Sequence, residues 1–357
     1  LRALVVVCRY LGDTLLATPL ARSLHQAGYE VDWLVAPGCD GLIQGQPYTS
    51  QVFVLKPTLA STLGLIRQLF RRYDIACVIN GADRPMSVAL CAAKKTYALI
   101  PDRWQDWWKA ALCSGCIHNR EDVHIVRYAL ELAELAGVKP KPDVILEWND
   151  ADKALVNKKL GWKRKSFIHI HPFARWPYKH WPEKHWRGLI ETLLEHDLQL
   201  VLTGSPKEQD AARELVAGLD PARIKVICGE LSWPQLACLS SMALCYIGLD
   251  TANTHLAAST GVPVVALFGP TNPTIWGPWP NASDSVVPYT RSPASGHLQV
   301  AGNIHLLQGL QPCVPCHREG CDRRADSRSE CLDSLMPELV WDTIRKAAVL
   351  PDTGSSA

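Results

Sequence analysis

Short apolar runs and stretches of helical period alternate along almost the whole chain. In the first half, Ala3–Val7, Val31–Val35, Val52–Leu55, Ile75–Ile79 and Thr96–Ile100 have the length and β-branched content of strands. Thr14–Gln26, Leu59–Arg71, Pro85–Ala93 and Asp122–Ala136 carry apolar residues at helical spacing between them. After Lys139-Pro140-Lys141-Pro142-Asp143, which breaks the pattern as a linker would, the style repeats. Strands are predicted at Phe167–His171, Leu198–Thr203, Ile224–Ile227, Ala243–Ile247 and Val264–Phe268. Helices are predicted at Pro182–His196, Lys207–Leu219, Trp233–Ser240 and Ala252–Ser259. Thr271 to about Ser334 reads as loop, and Pro337–Ala348 as a closing helix. Strand and helix in strict alternation predict an α/β fold with parallel sheets covered on both faces. The expected division is two Rossmann-like domains, 1–155 and 156–335, with a C-terminal helix and tail over 336–357.

The densest chemistry lies in GLDTANTHLAASTGVPVVALFGP, Gly248 to Pro270. A strand, a tight loop, a helix and a strand follow one another there, so the loop falls at the C-terminal edge of the sheet, where open α/β folds bind ligands. The free N–H groups at the helix start suit phosphate. Asp250 can accept from sugar hydroxyls, and Thr251 and His255 can donate to an anion. On spacing alone, Asp250 serves equally well as a helix cap.

Three segments together carry a resemblance. They are Gly12-Asp13 after the first strand, Lys179-His180-Trp181-Pro182 near the start of the second domain, and Asp250-Thr251 through His255-Leu256-Ala257-Ala258 with Gly261 to Thr271. In this order, with Trp276-Gly277-Pro278, they resemble glycosyltransferase family 9, the heptosyltransferases of the lipopolysaccharide inner core. The resemblance implies a GT-B fold, two Rossmann-like domains facing across a cleft, with the terminal helix often returning to the first domain. It implies inverting, metal-independent transfer of L-glycero-D-manno-heptose from ADP-L-glycero-D-manno-heptose to the lipid A–core oligosaccharide, with no cofactor required. The tail cysteines and the ARWPYKHWPE wording lean towards the heptosyltransferase III branch.

The residue roles follow from that resemblance. Inversion needs a base for the acceptor hydroxyl, and Asp13 occupies the place of the family's catalytic aspartate. On spacing alone, capping of the helix that follows is at least as good a reading. Lys179 would stabilise the departing diphosphate, with Gly12, Arg175, Glu208, Asp250, Thr251 and His255 completing the nucleotide-sugar site. Trp181 and Trp186 read as packing residues. The same fold acting on another acceptor, or a catalytically silent sugar-nucleotide-binding protein, are the competing readings.

Composition narrows the field. No two glycines are separated by a single residue, so the G-x-G-x-x-G of nicotinamide and flavin enzymes is absent. A formal charge of +2 without any Lys/Arg-rich block predicts no nucleic-acid partner. The N-terminus enters a strand without a signal-peptide core, and no apolar run reaches the length of a membrane span, which together predict a cytoplasmic protein; the resemblance implies a Gram-negative bacterium. Trp104, Trp107 and Trp108 with Arg103 and Lys109 suit either contact with the inner-membrane surface or packing on a neighbouring helix. Asp150-Ala151-Asp152 imitates the D-x-D of metal-dependent transferases but sits before a charged helix, where it reads as a solvated turn. Thirteen cysteines are an odd number, several within apolar runs, as buried thiols would be. Cys313, Cys316, Cys321 and Cys331 have spacing compatible with a structural zinc or iron site, and also with reduced free thiols or a disulfide.

Overall fold

A computed structural model describes residues 1–79, 81–281, 287–291 and 297–350, so the end of the predicted tail lies outside the described residues. The chain divides into two compact units, Leu1–Glu147 and Trp148–Ala357. That division falls before the helix Asp150–Leu160, which packs on the helix Trp233–Met242 of the second unit.

The first unit has six strands, β1 (Arg2–Val7), β2 (Glu30–Val35), β3 (Val52–Val54), β4 (Tyr73–Val78), β5 (Ala93–Ile100) and β6 (Gly115–His118). They lie in the order β3-β2-β1-β4-β5-β6, all parallel. The second unit contains β7 (Phe167–His171), β8 (Gln199–Gly204), β9 (Ile224–Cys228), β10 (Cys245–Leu249), β11 (Val264–Phe268), β12 (Leu298–Ala301) and β13 (Ile304–Gln308). Here the order is β12-β13-β11-β10-β7-β8-β9, and only the edge pair β12–β13 is antiparallel. Setting β12 aside, both sheets are wound 3-2-1-4-5-6, and each has its topological switch point between its first and fourth strands.

Period-two alternation explains how both faces of the second sheet are filled. Ile168, Ile170, Leu200, Leu202, Ile247 and Leu249 meet Leu189, Ile190 and Leu193 of the helix Glu183–Glu195 on one face. Phe167, Val201, Tyr246 and Val264 meet Leu239, Met242 and Ala257 on the other. Val340 and Ile344 of the helix Pro337–Ala347 join the first of these cores. The Trp181 indole N–H donates to the Leu335 carbonyl at 2.8 Å, and its ring meets Trp186 edge-on with centroids 4.9 Å apart.

Three expectations change. The helix expected over 14–26 is two, Leu11–Leu16 and Thr18–Gln26, because Pro19 lacks the N–H that would continue the ladder. β6, β12 and β13 lie in stretches expected to be irregular. The aspartates of Asp150-Ala151-Asp152 begin a helix, and Asp152 completes a capping box with Asn149.

Candidate active site

In the first unit β1 ends at the switch point and the chain enters the helix Leu11–Leu16 through Tyr10. Gly12 and Asp13 therefore lie inside the first helical turn rather than before it. The N-cap is Tyr10 and makes no side-chain cap bond, so Asp13 is not the cap. Asp13 is 5% exposed. Close by, burial raises the Cys39 thiol, and the negative charges of Asp13 and Asp40 add to that effect.

In the second unit the switch point lies between β7 and β10. Lys179 comes from a 3-10 turn, Pro177–Lys179, on the segment leaving β7. Asp250 follows β10 and precedes the helix Ala252–Ser259. Lys179 Nζ lies 2.6 Å from Asp250 Oδ2, and Thr271 Oγ1 donates to the same oxygen at 2.6 Å. Burial pushes the Asp250 carboxyl up. The Lys179 charge and hydrogen bond, then Thr271 and His255, outweigh it and hold the carboxyl below its ordinary value. Burial takes His255 down to about 4, so its imidazole is neutral at physiological pH. His255 is 7% exposed, and its Nδ1 has no hydrogen-bond partner among the described residues. Thr251 Oγ1 is likewise buried, near the Tyr246 hydroxyl. A cation, the orphaned imidazole nitrogen, a buried hydroxyl and a helix N-terminus thus meet where negative charge is best received.

Thr271 was missed as a site residue, although it closes the Gly261–Thr271 motif. Its position depends on β13. Gln308, at the end of that strand, donates from Nε2 to the carbonyls of Gly269 and Thr271 at 2.7 and 2.8 Å. Gly248 is required by its neighbour, since a Cβ there would stand 2.4 Å from the Tyr246 hydroxyl.

The remaining predicted residues are more peripheral. Arg175 is exposed, its guanidinium 5.0 Å from the Trp176 ring centre. Glu208 accepts from the Ser205 amide at 2.6 Å in a capping box, so one carboxylate oxygen already serves the turn after β8.

The metal site that cysteine spacing allowed is not preformed. Cys313 and Cys321 are exposed, Cys316 is half-buried and Cys331 is buried, and all four are free thiols. Burial pushes Cys331 up to about 12, with the other three cysteines adding to it, while Cys321 Sγ accepts the Glu330 amide at 3.4 Å. Among the described residues no group of three or more His, Cys, Asp or Glu side chains is gathered as an ion requires.

The family model for glycosyltransferase family 9 (heptosyltransferase) matches residues 63–304, well over half of the chain. The chain belongs to glycosyltransferase family 9. It is 27% identical over 291 residues to lipopolysaccharide heptosyltransferase 3 of Escherichia coli K12, covering 76% of this chain and 83% of that protein. It is also 27% identical to lipopolysaccharide heptosyltransferase 1 of Pseudomonas aeruginosa, across 99% of both. Among solved structures, the ADP-heptose lipopolysaccharide heptosyltransferase II of E. coli superposes with a TM-score of 0.73 at 18% identity, covering 98% of this chain and 99% of that one. The fold of this family 9 glycosyltransferase is accordingly GT-B, built of two Rossmann-like units.

Proposed function

We propose that this family 9 glycosyltransferase moves L-glycero-D-manno-heptose from ADP-L-glycero-D-manno-heptose to the inner core of lipopolysaccharide, with inversion and without a catalytic metal. The observation that carries the proposal is the Lys179–Asp250–Thr271 cluster, built on the buried Asp250, at the second switch point. It presents a cation beside a helix N-terminus, as a diphosphate leaving group demands. The names of the relatives, heptosyltransferases 1 and 3, supply the sugar and the acceptor class.

In this reading Asp13 takes the proton of the acceptor hydroxyl as that oxygen bonds to the anomeric carbon. The bond from that carbon to the diphosphate breaks, and ADP departs with its charge met by Lys179 and the amides of the helix Ala252–Ser259. Neutral His255 and Thr251 donate to phosphate oxygens, and Asp250 receives sugar hydroxyls once donor competes for Lys179. Gly12, Arg175 and Glu208 border the bound donor, and the first unit takes the lipid A–core acceptor.

No helix among the described residues is long and apolar enough to cross a membrane. Trp104 and Trp107 are 82% and 68% exposed, and Arg103 is exposed beside them. We assign these three to the inner-membrane surface that holds the acceptor on its cytoplasmic side. Lys109 does not join them: its ammonium turns inward to Asp106, Asp83 (2.8 Å) and the Gly81 carbonyl (2.6 Å).

The test compares ADP, UDP, GDP and ADP-heptose by thermal shift, then transfer to core acceptor with and without EDTA. Ligand at about 100 times its dissociation constant stabilises by about 2.7 kcal/mol. Protection by ADP and ADP-heptose, with turnover that survives EDTA, is expected. A response to UDP or GDP alone overturns the donor, and strict dependence on Mg²⁺ or Mn²⁺ overturns the mechanism.

A further inference from the structure

Five polar side chains on one face of the second sheet form a connected chain for which the transfer chemistry has no use. β7 sends His169 and His171 to the same side as Phe167, towards the helices Trp233–Met242 and Ala252–Ser259. The neighbouring strand β8 contributes Thr203. His169 is 2% exposed, His171 7% and Thr203 1%. Burial keeps both imidazoles neutral, His171 at about 4 and His169 at about 3.

With each imidazole carrying a single N–H, the chain can run in either of two directions, and the contact at its inner end selects between them. Ser240 Oγ lies 2.9 Å from the Leu236 carbonyl, which only accepts, so the serine donates there. Ser240 must therefore accept from His169 Nδ1–H, 3.1 Å away. His169 Nε2 is then an acceptor, served by the Thr203 hydroxyl at 2.8 Å. Thr203 has spent its proton and accepts from His171 Nδ1–H at 3.1 Å. His171 Nε2 in turn accepts from the carboxamide nitrogen of Asn253 at 3.0 Å. The chain thus fixes which way round the Asn253 amide stands. Asn253 is half-exposed, in the first turn of the helix Ala252–Ser259 and three residues beyond Asp250. Its nitrogen is committed inward, which leaves the carboxamide oxygen as an acceptor outside the chain.

We infer that Asn253 is a specificity-determining contact to a hydroxyl of the nucleotide-sugar donor, and that Thr203, His169 and His171 are positioning residues holding its carboxamide in one orientation. This rests on the second unit being the donor-binding half. An ordinary buried histidine pair needs satisfied nitrogens too. It has no need, however, to end on a half-exposed amide beside the phosphate-binding turn.

The test uses the full chain with selectively ¹⁵N-labelled histidine. Both His169 and His171 should appear as Nδ1–H tautomers in the wild type. In Asn253→Asp the carboxylate cannot donate, so His171 Nε2 should gain a proton, either as the imidazolium or with His169 and Thr203 reversing along with it. Asn253→Ala should weaken ADP-heptose binding by roughly 3–10-fold, the worth of one hydrogen bond, and raise donor KM while kcat stays within about twofold. Thr203→Val should weaken binding in the same direction, and combining it with Asn253→Ala should add nothing, because Thr203 acts through Asn253. An Asn253→Ala protein with unchanged donor affinity, or either histidine in the other tautomer, overturns the inference. Should Thr203→Val fail to fold, the wild-type tautomers and the Asn253→Ala affinity still decide. A wild type that binds a UDP-sugar in place of ADP-heptose, and loses that affinity on Asn253→Ala, upholds Asn253 while overturning the choice of donor.

Discussion

Replacing Lys179 by Met, of similar length but uncharged, isolates the charge that faces the buried Asp250. Asp250 would keep the Thr271 hydrogen bond but face burial without a cation. In the wild type the Asp250 carboxyl is lowered on folding. It therefore stabilises the folded state at pH above its unfolded value, about 3.9, and that contribution is lost as pH falls through the folded value. In Lys179→Met, burial dominates and the folded value rises above the unfolded one. The carboxylate then destabilises at neutral pH, and acid relieves the strain by protonating it. The gap between the two proteins should be widest at pH 7–8 and close towards pH 4. Removing one partner of a buried pair costs about 3–5 kcal/mol. Because the Lys179 side chain is 21% exposed, we expect roughly 2–3 kcal/mol, or about 5–10 °C in the transition of the second unit. Thermal unfolding by circular dichroism across pH 4–8, without nucleotide, measures it. Adding Asp250→Asn should restore most of the lost stability but not the lost ADP affinity, since the cation that meets the diphosphate is still gone. A stability deficit of equal size at every pH, or none at pH 7.5, would refute the reasoning.

Asp13→Asn should leave ADP affinity intact by calorimetry while transfer falls by roughly 10²–10⁴-fold, the usual worth of a general base; near wild-type rates would require another base. Gly248→Ala should lose about 1–3 kcal/mol in denaturant unfolding, because its Cβ would press on the Tyr246 hydroxyl; an unchanged midpoint would mean that Tyr246 moves freely. Trp104→Ala with Trp107→Ala should reduce co-sedimentation with anionic phospholipid vesicles and spare turnover on a soluble acceptor fragment, whereas unchanged sedimentation would remove the membrane assignment.

The strands were legible wherever an apolar run carried its own boundaries, as at Val264–Phe268 between Pro263 and Gly269. β12 and β13 were not. Leu298–Ala301 and Ile304–Gln308 are short and mixed in polarity, and sheet pairing rather than composition makes them strands. The break at Ala17 was written in Pro19, and the longer periodic pattern concealed it. Asp13, Lys179 and Asp250 stood out through motif order, because each lies on the segment that leaves a strand at a switch point. The partners that set their electrostatics come from distant strands. Gln308 fixes Thr271, and Thr203 joins His169 to His171, contacts that no spacing along the chain encodes. Lys109 illustrates the reverse case: its tryptophan neighbours suggested a surface cation, while the nearby carboxylates of Asp106 and Asp83 draw it inside.

The Trp181–Leu335 bond and the helix Pro337–Ala347 have a consequence for biosynthesis. Residues 1–147 hold every strand of the first sheet, so that half has all it needs to fold while translation continues. The second half does not. Leu189, Ile190 and Trp186 share their apolar core with Val340 and Ile344, so this face is open to water until Ile344 has left the ribosome. During that interval the nascent chain displays an uncovered hydrophobic groove, the kind of surface that trigger-type chaperones shield and that aggregates when translation stalls.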